Sequence, residues 1–209
     1  MVRDGQASAR RATGQTGPVQ PLLTIAPLSA ADSVLTAQVT DLVNEVYAGG
    51  EEGLWLPGTT RTTPAEVAEL AAAGELWVAR LDDEPVGSVR IRRLGERTGE
   101  LGMLTAAPKH RGIGVGRELV RFAEATARSA GDTTMRLEVL VPRGWAHPVK
   151  SFLVDWYTRI GYRAVRTEDF AAAYPRLAPL LATPCDFVVF AKPLSSPVGG
   201  SEEPPTPAP

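Results

Sequence analysis

A single cysteine, Cys185, stands in 209 residues. It leaves nothing for an intramolecular disulfide or a multi-cysteine metal site, and it fits a reducing, cytoplasmic setting. Lysine is almost as scarce, with three Lys against nineteen Arg, and there are two His. The surplus of Arg, Ala, Gly and Pro reads as coding bias, so a lone arginine carries little information. Neither sign of charge dominates: 22 basic and 24 acidic residues leave a formal charge of −2. That balance argues against a chain that grips nucleic acid through bulk electrostatics. No apolar run approaches the roughly 20 residues of a membrane-spanning helix. No hydrophobic block follows Arg3, as a signal peptide requires, and the Arg-rich start lacks the amphipathicity of an organelle transit peptide.

What is present is an ordinary globular composition, 44% hydrophobic, enough for one sizeable core. Residues 1–20 show no periodicity. Residues 195–209, SSPVGGSEEPPTPAP, cannot bury enough apolar surface to offset chain entropy. Both ends are expected to be disordered tails around one domain at 21–194.

Within that domain strands and helices alternate. Leu22–Ile25 reads as a strand. Val34, Leu35, Val39, Leu42, Val43 and Val46 predict an amphipathic helix over 30–47. Residues 48–62 are Gly-rich and aperiodic. Thr63-Pro64-Ala65-Glu66 combines a cap, a first-turn proline and a capping-box Glu, and Gly74 stops that helix. Leu76–Leu81 and Val86–Leu94 form a hairpin around Asp82-Asp83-Glu84, and Glu100–Ala106 adds a third strand. A long helix comes next, with Val115, Leu119, Phe122, Ala123 and Ala127 on its buried face. Met135–Val141 alternates as a strand. Phe152, Leu153, Trp156 and Ile160 mark the core side of a helix over 149–160, ended by Gly161. Tyr162–Val165 and Phe187–Ala191 are the last strands. The order β-α-α-β-β-β-α-β-α-β-β predicts an α/β domain.

Arg111-Gly112-Ile113-Gly114-Val115-Gly116 carries the strongest chemical signal. It lies between a strand and a helix, where free backbone N–H groups make a ready site for phosphate oxygens. Glycines admit an anion close to the backbone; a plain tight connection is the alternative. A P-loop does not fit, because Gly116 is followed by Arg117 and Glu118. A dinucleotide fingerprint does not fit either: the glycines run G-x-G-x-G, away from the start of the chain.

The segment ELGMLTAAPKHRGIGVGRELVRFAEA closely resembles the acetyl-CoA-binding motif of the GNAT superfamily of N-acetyltransferases, with Arg111, Gly114 and Gly116 on its pattern. WYTRIGY at 156–162 resembles the family's second signature, and LEV at 137–139 its fifth strand. The resemblance spans about Leu22 to Leu194 and is specific over 100–162. It implies a central mixed sheet of six to seven strands flanked by helices and splayed between the fourth and fifth strands. The pantetheine arm of acetyl-CoA, the implied cosubstrate, would pair with the backbone of Leu104, Thr105 and Ala106. Its pyrophosphate would rest on Gly112, Ile113, Gly114, Val115, Gly116 and Arg117.

The resemblance also implies roles for side chains. Amine attack on a thioester releases a proton and a thiolate. Tyr157 holds the family's general-acid position, and Glu100 matches a catalytic Glu of some members. His147, an imidazole just before the Tyr helix, is a further candidate base. Lys150 replaces a frequent Asn and is expected to meet a phosphate instead. Glu51, Glu52 and Trp55 lie in the loop that lines the acceptor side in this fold, where they would hold a cationic amine. The expected partner is a small-molecule or peptide amine, with no metal, membrane or nucleic acid, acting on a monomer or homodimer. A basic patch from Arg90, Arg92 and Arg93 would be needed for RNA. A noncatalytic acyl-CoA sensor of the same fold remains the alternative.

Overall fold

The computed structural model describes residues 23–194. The tails read from the sequence, 1–20 and 195–209, and the expected strand start at Leu22 lie outside the described residues. The elements run in the order β1 (Leu23–Pro27), α1 (Ser33–Gly50), α2 (Pro64–Ala72), β2 (Leu76–Leu81), β3 (Glu84–Arg93), β4 (Thr98–Ala106), α3 (Val115–Ser129), β5 (Thr134–Pro142), α4 (Pro148–Arg159), β6 (Arg163–Asp169), α5 (Phe170–Ala173) and β7 (Cys185–Pro193). The sequence order holds, with the four-residue α5 added in the stretch left irregular.

One seven-stranded sheet has the order β1-β2-β3-β4-β5-β7-β6. Its neighbours are antiparallel except β4 and β5. The β2–β3 hairpin turns on Asp82 and Asp83, both at positive φ (47° and 70°), a backbone that follows the right-handed strand twist. The capping box at α2 forms in full: Thr63 Oγ1 accepts from the Glu66 N–H at 3.2 Å, and the Thr63 N–H donates to Glu66 Oε2 at 3.0 Å.

The parallel pair is short. Thr98, Glu100 and Gly99 between them face Thr134, Arg136 and Met135, and no further register pair joins the two strands. Both strands then continue, β4 to Ala106 and β5 to Pro142. A bulge accompanies the divergence. Val89 on β3 stands opposite two residues of β4, Met103 and Leu104, and Met103 has φ 45°. Such a bulge bends its strand and re-aims the residues beyond it.

Helices cover both faces. On one, α3 and α4 bury Val115, Leu119, Ala123 and Tyr157 against Val89 and Leu137 of the sheet. On the other, Val39, Val43 and Val67 of α1 and α2 pack on Leu76, Val78 and Met103. Gly87 fixes the seat of α3: a Cβ there would lie 2.7 Å from the Thr105 carbonyl oxygen and 2.8 Å from Val115 Cγ1. Among the described residues no helix is long and apolar enough to cross a membrane.

Several expected core positions are corrected. Val34 is 69% exposed and Phe152 57% exposed. The buried residues of α1 are Thr36, Val39, Thr40, Leu42 and Val43. The two threonines are tolerated inside because each hydroxyl donates to a carbonyl four residues back, at 2.8 Å. On α4 the buried residues are Lys150 and Tyr157, two turns apart on one face, which turns Phe152 outward. The helix α1 also continues through Ala48, Gly49 and Gly50 into the stretch expected to be loop.

Candidate active site

The glycine loop opens α3. Gly112 and Gly114 have φ 93° and 90°, the left-handed region that disfavours a side chain. A Cβ at either would meet no other atom within 4 Å, so open space lies in front of the loop. No side chain caps α3. The N–H groups of Gly112, Gly114, Val115, Gly116 and Arg117 have no backbone acceptor among the described residues. These donors and the positive end of the helix favour an anion. Arg111 and Arg117 flank them, both exposed. Ile113 is 55% exposed and faces solvent rather than core.

The loop adjoins the free edge of β4. Past Glu100 that strand pairs with β3 only. Leu104 and Ala106 are half-buried, whereas Thr105 is buried, with its hydroxyl accepting from the Ser88 N–H at 2.9 Å. Thr105 therefore has only its backbone to offer. Across the gap stands α4: a Cβ on Gly116 would come within 4.0 Å of Trp156 Cη2.

Tyr157 is buried, with its ring 4.9 Å from Trp156 and edge-on to Tyr162 at 5.8 Å. Burial, with a smaller contribution from Tyr47, raises its phenol well above 10.0. The hydroxyl keeps its proton at neutral pH. Tyr47 is a residue that sequence reasoning missed. Its own phenol is raised by burial, and the Arg61 guanidinium sits 4.8 Å over its ring.

Glu100 stands at the fork where β4 leaves β5. Its Oε1 accepts from Arg92 Nε at 2.8 Å. Its Oε2 lies 3.5 Å from Arg136 Nε, and neither of those buried atoms has a hydrogen-bond partner. Arg136 also pairs with Glu138, whose other oxygen accepts from the Tyr174 hydroxyl at 3.3 Å. Tyr174 comes from the segment between β6 and β7, which no motif marked. The basic patch that RNA would need does not form: Arg90, Arg92 and Arg93 pair with Glu75 at 2.6 Å, Glu100 at 2.6 Å and Asp132 at 3.1 Å.

His147 is the N-cap of α4. Its Nδ1 accepts from the Val149 N–H at 3.2 Å, which leaves the proton on Nε2, 3.2 Å from the Glu52 carbonyl. Both ring nitrogens are engaged, so the expected base has no lone pair to spare. Lys150 does not reach toward the glycine loop. It is buried, with its ammonium 2.7 Å from Glu51 Oε1. Glu51 Oε2 accepts from the Trp55 indole N–H at 2.6 Å. Trp55 is half-buried, packed edge-on to Phe170 at 5.6 Å and bridged to Leu181. Of the expected acceptor trio, Glu52 alone is exposed. Cys185 is buried in the same small core, with its thiol pushed up to about 11 by burial and by the nearby Glu51.

A family model described as the acetyltransferase (GNAT) family matches residues 40–149. None of the curated proteins matches. Among solved structures, an aminoglycoside 6'-acetyltransferase type Ii is 23% identical with a TM-score of 0.58, over 82% of this chain and 97% of that one. An aminoglycoside 6'-N-acetyltransferase complexed with coenzyme A is 18% identical with a TM-score of 0.63, over 82% and 97%. The PaiA N-acetyltransferase from Thermoplasma acidophilum, in complex with coenzyme A, is 16% identical with a TM-score of 0.61, over 82% and 99%. At these identities the likeness is one of fold.

Proposed function

Since the chain belongs to the GNAT acetyltransferase family, we propose that it transfers an acetyl group from acetyl-CoA to a primary amine by direct attack in a ternary complex. The observation that carries this is the row of unanswered N–H groups at the start of α3, beside the free edge of β4. The loop suits the cosubstrate: N–H donors, a helix start, open space at Gly112 and Gly114, and two exposed arginines meet the needs of a pyrophosphate. Gly112 to Arg117 would hold that group. The backbone of Leu104, Thr105 and Ala106 would pair with the pantetheine amides as another strand does.

Bound there, acetyl-CoA supplies an acyl thioester. The chain's own residues then handle protons and charge. The Leu104 N–H, re-aimed by the bulge, polarises the acyl oxygen. Glu100 accepts the amine proton on Oε2, the oxygen left without a hydrogen bond. Tyr157, kept protonated by burial, donates to the departing sulfur. His147 is assigned to capping α4 rather than to proton transfer.

The acceptor is a small-molecule or peptide amine. With Glu51 already matched by Lys150 and Trp55, Glu52 is the carboxylate of that loop that remains open to a cationic substrate. The test is a screen of amines with acetyl-CoA, read as free thiol against time. Thiol release that depends on one amine class, with an acetylated product by mass spectrometry, is expected. Tight acetyl-CoA binding without release for any amine would overturn the enzymatic assignment in favour of a noncatalytic binding module.

A further inference from the structure

Among the described ion pairs, Glu51–Lys150 alone has both side chains less than a tenth exposed, at 6% and 7%. Taking two charges out of water is costly, and a buried pair is poor evidence for stability. What it does secure is the relation between two elements 99 residues apart in sequence.

Each end of the pair is reinforced. On the loop side Glu51 comes directly after α1, and its second oxygen holds the Trp55 indole. The next carbonyl, Glu52, takes the His147 ring N–H. A Cβ on Gly53 would touch the Trp145 ring at 3.7 Å, and one on Gly50 would touch Val149 at 3.9 Å. On the helix side Lys150 lies in the first turn of α4, two turns before Tyr157 and on the same buried face. The end of α1 and the first turn of α4 thus meet at Glu51 and Lys150.

We propose that Glu51 and Lys150 are positioning residues that lock the α1–α2 loop onto α4 and so fix the Tyr157 hydroxyl, touching neither acetyl-CoA nor the acceptor. This rests on the general-acid role proposed above for Tyr157. Loss of the lock misplaces a proton donor without removing it, and a shift of about 1 Å costs roughly 100-fold in rate.

The experiment compares Lys150→Met, Lys150→Arg and the double variant Glu51→Gln/Lys150→Met with wild type. Lys150→Met strands the Glu51 charge. It should lower Tm by about 10 °C and kcat by roughly 10- to 100-fold, with Kd for acetyl-CoA within about twofold. Lys150→Arg should keep most of kcat. The double variant removes both charges and should recover most of Tm while kcat stays low. Recovery of kcat in step with Tm would reduce the pair to a structural role, and a tenfold or greater loss of acetyl-CoA affinity in Lys150→Met would place Lys150 on the cosubstrate. Hydrogen exchange gives a readout free of turnover. In Lys150→Met, residues 50–56 and 149–157 should lose protection together, and loss in one segment alone overturns the lock. If wild type acetylates no amine, the acetyltransferase assignment fails and the exchange result still decides the lock.

Discussion

Gly114→Asp separates binding from folding. Gly114 sits at φ 90° with nothing within 4 Å of a built Cβ, so the only folding cost is backbone strain. A non-glycine residue there costs about 1–2 kcal/mol, with Asp at the tolerant end. The carboxylate lies at the positive end of α3 and recovers about 0.3–1 kcal/mol. The net loss is then about 0–1.7 kcal/mol, a fall in Tm of no more than about 7 °C for a domain of this size. The same carboxylate would lie among the N–H groups assigned to the pyrophosphate. Two like charges 4 Å apart repel by about 1 kcal/mol in water and about 4 kcal/mol near a protein surface. That range weakens acetyl-CoA binding by about fivefold to 1,000-fold.

Calorimetric titration with acetyl-CoA gives the affinity, and thermal and urea unfolding give the stability. Gly114→Ala is the control: it carries the strain without the charge and should bind several-fold better than Gly114→Asp. If folded Gly114→Asp binds acetyl-CoA with wild-type affinity, the pyrophosphate does not rest on this loop. If the Ala and Asp variants lose affinity equally, loop geometry rather than repulsion is responsible.

Tyr157→Phe removes one hydroxyl and should lower kcat by on the order of 100- to 10,000-fold with little change in acetyl-CoA Kd; wild-type kcat under chemistry-limited conditions would show the phenol dispensable. The phenols of Tyr47, Tyr157 and Tyr162 are all raised by burial. Their contribution to stability is full below the unfolded value of about 10 and is lost as pH climbs above it; urea midpoints should fall from about pH 10 upward, less steeply in Tyr157→Phe. Trp55→Ala should cost about 3 kcal/mol in urea unfolding, because the indole packs on Phe170 and bonds Glu51; an unchanged midpoint with a raised acceptor KM would return Trp55 to the substrate. Gly87→Ala should destabilise by about 1–3 kcal/mol, since its methyl must displace the Thr105 carbonyl and Val115; a midpoint within experimental error of wild type would show that α3 can shift.

The sheet and its helices were legible wherever the signal is local. Strands such as Met135–Val141 alternate with period two, the Thr63–Glu66 box is written within four residues, and the glycine loop sits where its strand and helix demand it. The misses share a physical cause, partners far along the chain. On sequence alone Lys150 is expected at a phosphate and Glu51 at a cationic amine, whereas the two meet each other across 99 residues. On sequence alone Trp55 is expected at the acceptor, because the segment that covers it, with Phe170 and Leu181, folds back from beyond β6. Whether Arg90, Arg92 and Arg93 form a patch is equally a long-range matter: Glu75, Glu100 and Asp132 pair with them from neighbouring elements. In α1 two threonines occupy core positions by bonding their own helix, which hides two of its five buried positions from a count of apolar residues.

The three-residue seam between β4 and β5 has a mechanical consequence. In a sheet of seven strands every other junction is laced along most of its length, so load applied across the strands concentrates at this single line. A ligand whose amides bond the free edge of β4 would act there as a splint, restoring continuity that the chain itself does not provide. Resistance to being pulled apart across that line would then rise and fall with occupancy.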